Sequence, residues 1–223
     1  MAVEYAARIA RIVEHARDTR SLFLAGQPLP HRPGQFISCL LPVGGETLIR
    51  PYSLASDPEQ DELEICLNLV PGGAGSAYLL GLAVGANVRF TGPWGTFVLD
   101  RALDVEAIFI ADGTGVAPIR SMIRRALASG ARRPIHLLHA AESEDRLLYR
   151  AEFEGLARTE PLFTFAHVAS ARLRDEVASR WVDADRERGR RFFICGVGGI
   201  VPTLRDLLRG AGYERRAVQY EKW

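Results

Sequence analysis

AIFIADGTGVAP, residues 107–118, decides the architecture of this chain. An unbroken apolar run reads as a strand buried on both faces, and two glycines end it before a helical pattern begins through SMIRRALAS. Three more strand–helix pairs follow: IHLLHAA into LLYRAEFEGLA, LFTFAHVAS into a short helix near Asp175 to Ser179, and RFFIC into VPTLRDLLRGA. AVQYEKW closes the sequence as a further strand. Alternation of this kind predicts a parallel sheet with helices on its faces.

The glycines carry more than a turn. Gly113, Thr114 and Gly115 follow the strand directly, where small residues let backbone N–H groups and a helix start approach a phosphate. Pro118 stands at the third glycine position of the usual dinucleotide fingerprint, and no G-x-x-x-x-G-K-[ST] is present, which excludes an ATP-type cradle. Alone, G-T-G reads equally well as a tight turn. FFICGVGG repeats the arrangement with Cys195, Gly196, Gly198 and Gly199, and two such turns on one sheet favour a ligand site.

Upstream of about Leu99 the rhythm changes. RIARIV, SLFLA, QFISCLLP, IRPYSLAS, LEICLNLV and NVRFTG are short strands between Gly, Pro and Asp punctuation, which predicts an antiparallel barrel or sandwich. The boundary is expected within Asp100 to Asp104, giving domains 1–100 and 101–223. In PGGAGSAYL, Gly72, Gly73, Gly75 and Ser76 open a short helix suited to a second phosphate; a glycine-rich hairpin capped by the serine is the plainer alternative. Arg50 in RPYSLAS is out of place in a buried strand, so it either lies at an exposed edge or meets an anion. Beside a helix start it offers a pyrophosphate a charge-assisted fork. Tyr52 shares its strand face, which suggests a ligand with a flat ring at one end and a diphosphate further along.

Composition narrows the partners. The 223 residues are 48% hydrophobic and 25% charged, with net charge +1, which offers nucleic acid and acidic membranes no general attraction. Cys39, Cys66 and Cys195 lie far apart, without C-x-x-C spacing or the four thiolates of an iron–sulfur cluster. A disulfide framework is not expected, and neither a signal core nor a charge-free apolar run of about 18 residues can be read. The expectation is a cytoplasmic protein without membrane contact. Oligomeric state is left open, a monomer being compatible.

The ordered blocks R-P-Y-S, G-A-G-S, G-P-W-G, G-T-G-V-A-P, L-L-Y-x-x-E-F and C-G, with a final aromatic, closely resemble the ferredoxin–NADP reductase superfamily over nearly the whole chain. The resemblance implies a two-domain fold, a flavin-binding antiparallel β-barrel followed by a pyridine-nucleotide α/β domain. It implies an enzyme that transfers hydride between NADPH and flavin N5 and passes single electrons to a ferredoxin, a flavodoxin or an oxygenase component. The cofactor is expected to be FAD rather than FMN.

By the same resemblance Arg50 holds the flavin pyrophosphate with backbone donors at Gly75 and Ser76, and Pro51 and Gly73 are among the cofactor-binding residues. Tyr52 packs on the isoalloxazine and Ser53 donates toward its N5. Gly113, Thr114, Gly115 and Gly196 face the nicotinamide nucleotide, with Cys195 beside the reacting ring. Glu221 and Trp223 are spaced like the glutamate and terminal tyrosine of plant-type members, so Trp223 would cover the flavin and Glu221 would handle a proton. Without the resemblance, Cys195 reads equally as a buried strand end and Trp223 as a strand end packed on the core.

NADP(H) is favoured over NAD(H) because Ser170 and Arg172, with Arg174, offer donors to a 2′-phosphate, and Trp181 falls where an adenine-stacking tyrosine is kept. Ala171 separates the serine and arginine that plant-type members keep adjacent, and an arginine-rich solvated face is the alternative. Arg8, Arg11, Arg20 and Arg32 can form a docking face for an acidic carrier or be ordinary surface charges. Two other functions share these motifs: a reductase using flavin as a substrate, and a non-catalytic flavin-binding electron-transfer subunit.

Overall fold

The computed structural model describes residues 3–99 and 103–223. Asp100, Arg101 and Ala102, where the expected boundary begins, lie outside the described residues. The chain forms two compact units.

Every apolar stretch read as a strand in the first half is one. β1 (Glu4–Ala16), β2 (Thr19–Gly26), β3 (Phe36–Val43), β4 (Glu46–Ser53), β5 (Leu63–Asn68) and β6 (Asn87–Trp94) form an antiparallel sheet in the order β4-β3-β6-β1-β2-β5. Just past β4, Ala55 donates its N–H to Glu64 O at 2.8 Å and Leu54 bridges Ile65, which ties the two ends of the sheet and makes it barrel-like. Alternation puts Ile9, Leu22, Leu24, Ile37, Leu41, Ile65 and Phe90 inside, all essentially unexposed. The short helix α1 (Ala74–Leu80) follows the glycine cluster and inserts Leu79 into the same core.

Residues Arg120–Met122 group with this unit. There the Arg120 guanidinium donates to Glu64 Oε2 at 2.7 Å and to Ala55 O at 2.8 Å, while Ser21 donates to Glu64 Oε1 at 2.7 Å. Both members of the ion pair are buried, so each needs the other: removing one would strand the other's charge away from water.

The second unit is a parallel sheet in the order β11-β10-β7-β8-β9, built from β7 (Ala107–Asp112), β8 (Ile135–Ala141), β9 (Phe163–Ala169), β10 (Arg191–Gly196) and β11 (Val218–Lys222). α2 (Val116–Ala128), α3 (Arg150–Thr159), α4 (Leu173–Val177) and α5 (Ile200–Gly210) connect them, and a wide π-type turn over Ala178–Asp183 follows α4. One face of the sheet packs Ile108, Ile110, Phe192 and Ile194 against Leu173, Val177, Val201, Leu204 and Leu208. On the other, Phe109 stacks on Phe193 at 4.8 Å between centroids. No helix among the described residues is long and apolar enough to cross a membrane.

The strand order fixes where a ligand can sit. From β7 the chain steps outward to β8 and β9, then returns to the other side of β7 for β10 and β11. The reversal lies between β7 and β10, and helices leaving those two strands depart in ways that open a crevice at their carboxyl ends. Both glycine turns of the sequence emerge there.

Candidate functional site

In the antiparallel unit the residues of interest lie on β4, at one end of the strand order and hydrogen-bonded only to β3 among the described strands. Arg50 is exposed, which answers half the question its sequence raised. Its Nη1 donates to Ile49 O at 2.8 Å, and no carboxylate among the described residues pairs with it. A Cβ added to Gly75 would stand 3.0 Å from Arg50 Cγ and 3.3 Å from Leu41 Cδ1. The arginine stem therefore lies across the first turn of α1, where only a glycine leaves room.

Gly73, not Ser76, precedes the helix. Ser76 is buried inside the first turn, donating to Gly73 O and accepting from Val70 N–H, both at 3.0 Å. Its side chain is thus spent on holding the turn, leaving Arg50 as the charged group there. Tyr52 is half-buried; loss of solvent, then the neighbouring Cys39, pushes its phenol up to about 12, so it stays neutral. Ser53 is buried and its Oγ finds no partner among the described residues. An orphaned buried hydroxyl costs roughly 1–3 kcal/mol unless something accepts from it or donates to it. A flavin ring edge would meet that need, so the residues present fit the group.

In the parallel unit, Gly113 takes φ +55° and turns the chain out of β7. Gly115 is packed hard against β10: a Cβ there would fall 2.3 Å from Cys195 O and 2.7 Å from Gly196 N. These two glycines serve different needs, a left-handed backbone and a close approach. His139 of β8, unremarked in the sequence, donates from Nε2 to Gly113 O at 3.2 Å. Burial holds its imidazole down to about 4, so it is a neutral ring that steadies the turn.

Cys195 ends β10 and is 1% exposed. Burial, then the charge of Glu221, pushes its thiol well up, partly offset by hydrogen bonds from the Trp223 side chain and the Gly196 backbone. It is a neutral thiol at working pH, not a thiolate nucleophile. Glu221 is its register partner on β11. Glu221 Oε2 has no partner among the described residues, and desolvation raises the carboxyl to about 7. Trp223 donates its N–H to Gly196 O at 3.1 Å and remains partly exposed. Cys195, Gly196, Glu221 and Trp223 thus come together at one strand end.

Other expected residues lie differently. Ser170 donates to Asp112 Oδ1 at 2.6 Å, so its hydroxyl is already engaged. Arg172 is exposed, without an ion pair among the described residues, whereas Arg174 pairs with Asp175 at 3.0 Å. Trp181 is a correction: it is 7% exposed, set edge-on to Phe192 in the core, and its carbonyl accepts from Tyr213. A ring enclosed in this way cannot offer a face to adenine. Of the arginines considered for docking, Arg11 lies over Phe23 and pairs with Glu62, and Arg20 pairs with Glu14, so those charges are partly spent within the chain.

Comparison with known proteins agrees with this geometry. Residues 8–99 match the oxidoreductase FAD-binding domain family, and residues 109–204 match the oxidoreductase NAD-binding domain family. A ferredoxin–NADP reductase B of Sorangium cellulosum is 32% identical, over 89% of this chain and 87% of that protein. The ferredoxin–NAD(P)(+) reductase component of a naphthalene 1,2-dioxygenase/salicylate 5-hydroxylase system of Ralstonia is also 32% identical, over 92% of this chain but 64% of that protein. A cytochrome P450 reductase of Amycolatopsis superposes with a TM-score of 0.88 at 29% identity, over 99% of this chain and 69% of that one. The ferredoxin–NADP+ reductase of Neisseria gonorrhoeae superposes at 0.85 over 100% and 99% of the two chains; at 18% identity it speaks for the fold. The chain belongs to the ferredoxin–NADP reductase family and is an NAD(P)H-dependent flavoprotein oxidoreductase.

Proposed function

We propose that this chain takes electrons in pairs from NADPH through a tightly held FAD and delivers them singly to a separate carrier: a ferredoxin, a flavodoxin or an oxygenase component. The observation that carries the reading is Arg50, a guanidinium without a carboxylate partner among the described residues, lying across Gly75. When bound, the flavin supplies the two-electron to one-electron conversion that no side chain here offers.

The residues divide the remaining work. Arg50 and the backbone of the first turn of α1 hold the diphosphate, Tyr52 packs on the ring, and Ser53 Oγ donates to its edge. The turn at Gly113, Thr114 and Gly115, steadied by His139, and the end of β10 at Gly196 receive the nicotinamide nucleotide. Cys195, buried and holding its proton, shapes that strand end from within, so its backbone and not its thiol borders the site. Glu221, raised to about 7, is divided between its two forms near neutrality, so it can hold or release a proton as electrons pass. Trp223, a partly exposed ring beside Gly196, can stack on a flat ligand. Arg172 supports NADPH over NADH, since a 2′-phosphate would give its guanidinium an anion to bind. Three buried cysteines outside any disulfide support a reducing, cytoplasmic setting.

Purification and anaerobic mixing test the reading. The protein should stay yellow through gel filtration, bleach on addition of NADPH, and regain colour when an oxidised one-electron carrier is added. A colourless protein that oxidises NADPH only with added flavin would make flavin a substrate. Retained flavin that does not bleach would leave a non-catalytic subunit.

A further inference from the structure

Asp112 is the last residue of β7, at the reversal point of the parallel sheet. Its carboxylate accepts the Ser170 hydroxyl at 2.6 Å, although β8 lies between β7 and the β9 strand that Ser170 follows. The register partner of Asp112 on β8 is Ala140, which shares its face and whose single methyl group leaves room for that reach. On the other side, a Cβ at Gly196 would stand 3.0 Å from Asp112 Cβ. A carboxylate thus occupies the middle of the rim, between the strand end that receives nicotinamide and the turn that receives the adenosine phosphate.

A serine hydroxyl has one hydrogen to donate. While it goes to Asp112, Ser170 cannot give it to a phosphate. Carboxylates at dinucleotide crevices accept from ribose hydroxyls and disfavour an added phosphate. Arg172 works in the opposite sense, and Glu142, whose charge acts on Asp112, adds to the negative side.

We propose that Asp112 is a coenzyme-selecting residue: it withholds Ser170 from a 2′-phosphate and opposes that phosphate with its own charge, so that preference for NADPH over NADH is held to a narrow margin. The proposal rests on the nucleotide site described under the proposed function and adds the group that sets its selectivity.

Calorimetric titration of the flavin-loaded protein with 2′-phospho-AMP and with AMP tests it without turnover. Asp112→Ala should tighten 2′-phospho-AMP by about three- to ten-fold, the scale of one unit charge several ångströms away in a partly solvated crevice, while AMP changes less than two-fold. Ser170→Ala alone should leave the ratio near that of the original protein. Ser170→Ala combined with Asp112→Ala should lose part of the gain, because the released hydroxyl is then absent. Asp112→Asn, which keeps an acceptor for Ser170 but not the charge, should show the electrostatic part alone. If Asp112→Ala moves both ligands equally or neither, the proposal is overturned; so it is if Ser170→Ala alone weakens 2′-phospho-AMP by several-fold. Failure of the original protein to bind either ligand would remove the nucleotide site itself, and the proposal with it.

Discussion

Replacing Glu221 by glutamine should stabilise the protein in mild alkali and leave it unchanged in mild acid. The carboxyl is half-buried on β11, one oxygen lacks a partner, and loss of solvent raises it from 4.5 to about 7. In the unfolded chain it titrates near its ordinary value, so the native state binds this proton more tightly than the unfolded state does. Below pH 4.5 both states are protonated and the group costs nothing. Between 4.5 and about 7 the unfolded chain ionises first, and stability falls; above 7 the penalty is complete. The sense is opposite to that of a carboxylate held by a salt bridge.

At about 1.4 kcal/mol per pH unit the full difference is about 3 kcal/mol, and partial access to water reduces it to about 1–2 kcal/mol. For a protein of this size that corresponds to about 3–6 °C in melting temperature. Thermal unfolding of the two proteins, both flavin-saturated, at pH 4 and pH 8.5 reads it directly. A gain essentially confined to pH 8.5 is expected. An equal shift at both pH values, or a loss at 8.5, would mean that Glu221 finds a stabilising partner when ionised, and its assignment as a proton holder would fail with it.

Arg50→Ala should weaken flavin retention by about ten- to a hundred-fold, the usual worth of a charge-assisted hydrogen bond, as followed by absorbance after gel filtration. The melting temperature of the flavin-free protein should move little, since among the described residues the exposed guanidinium bonds to its neighbour's carbonyl. Gly115→Ala and Gly113→Ala should differ. The first drives a methyl to 2.3 Å from a carbonyl oxygen and should cost 3 kcal/mol or more in urea unfolding, about the upper end of overpacking effects. The second meets nothing within 4 Å but carries φ +55°, so about 1–2 kcal/mol is expected. Titration with a thiol-specific disulfide reagent should find no rapidly reacting cysteine in the native protein and three after denaturation, because all three are buried and the Cys195 thiol is held protonated; a fast-reacting native thiol would contradict that account.

Much of the fold was readable because local pattern and tertiary role coincide in it. Ile108 to Ala111 are apolar without interruption since both faces of β7 are covered, and Gly113 and Gly115 end the strand where the sheet reverses. Arg50 was noticeable for the same reason, a charge where the pattern wanted none. What escaped the sequence depends on partners far along the chain. Glu64 carries no signal of its own within LEICLNLV, yet it is buried, and Arg120 and Ser21 meet it. Asp112 and Ser170 are 58 residues apart and meet across β8, where the intervening residue on their face is the small Ala140. His139 sits in a run, IHLLHAA, whose other members are core, and only the Gly113 carbonyl gives it a purpose. Trp181 failed in the opposite way: an aromatic at a plausible spacing, but turned inward by the turn after α4.

Pro51, exposed near the carboxyl end of β4, has no amide hydrogen to offer. An outer strand left uncovered so that a small molecule can lie against it also invites the strands of neighbouring copies to join it. A missing donor in that row, next to a permanent positive charge, spoils the ladder such a copy would need. The residue before Tyr52 thus lets the strand stay open to its ligand while discouraging self-assembly into fibres.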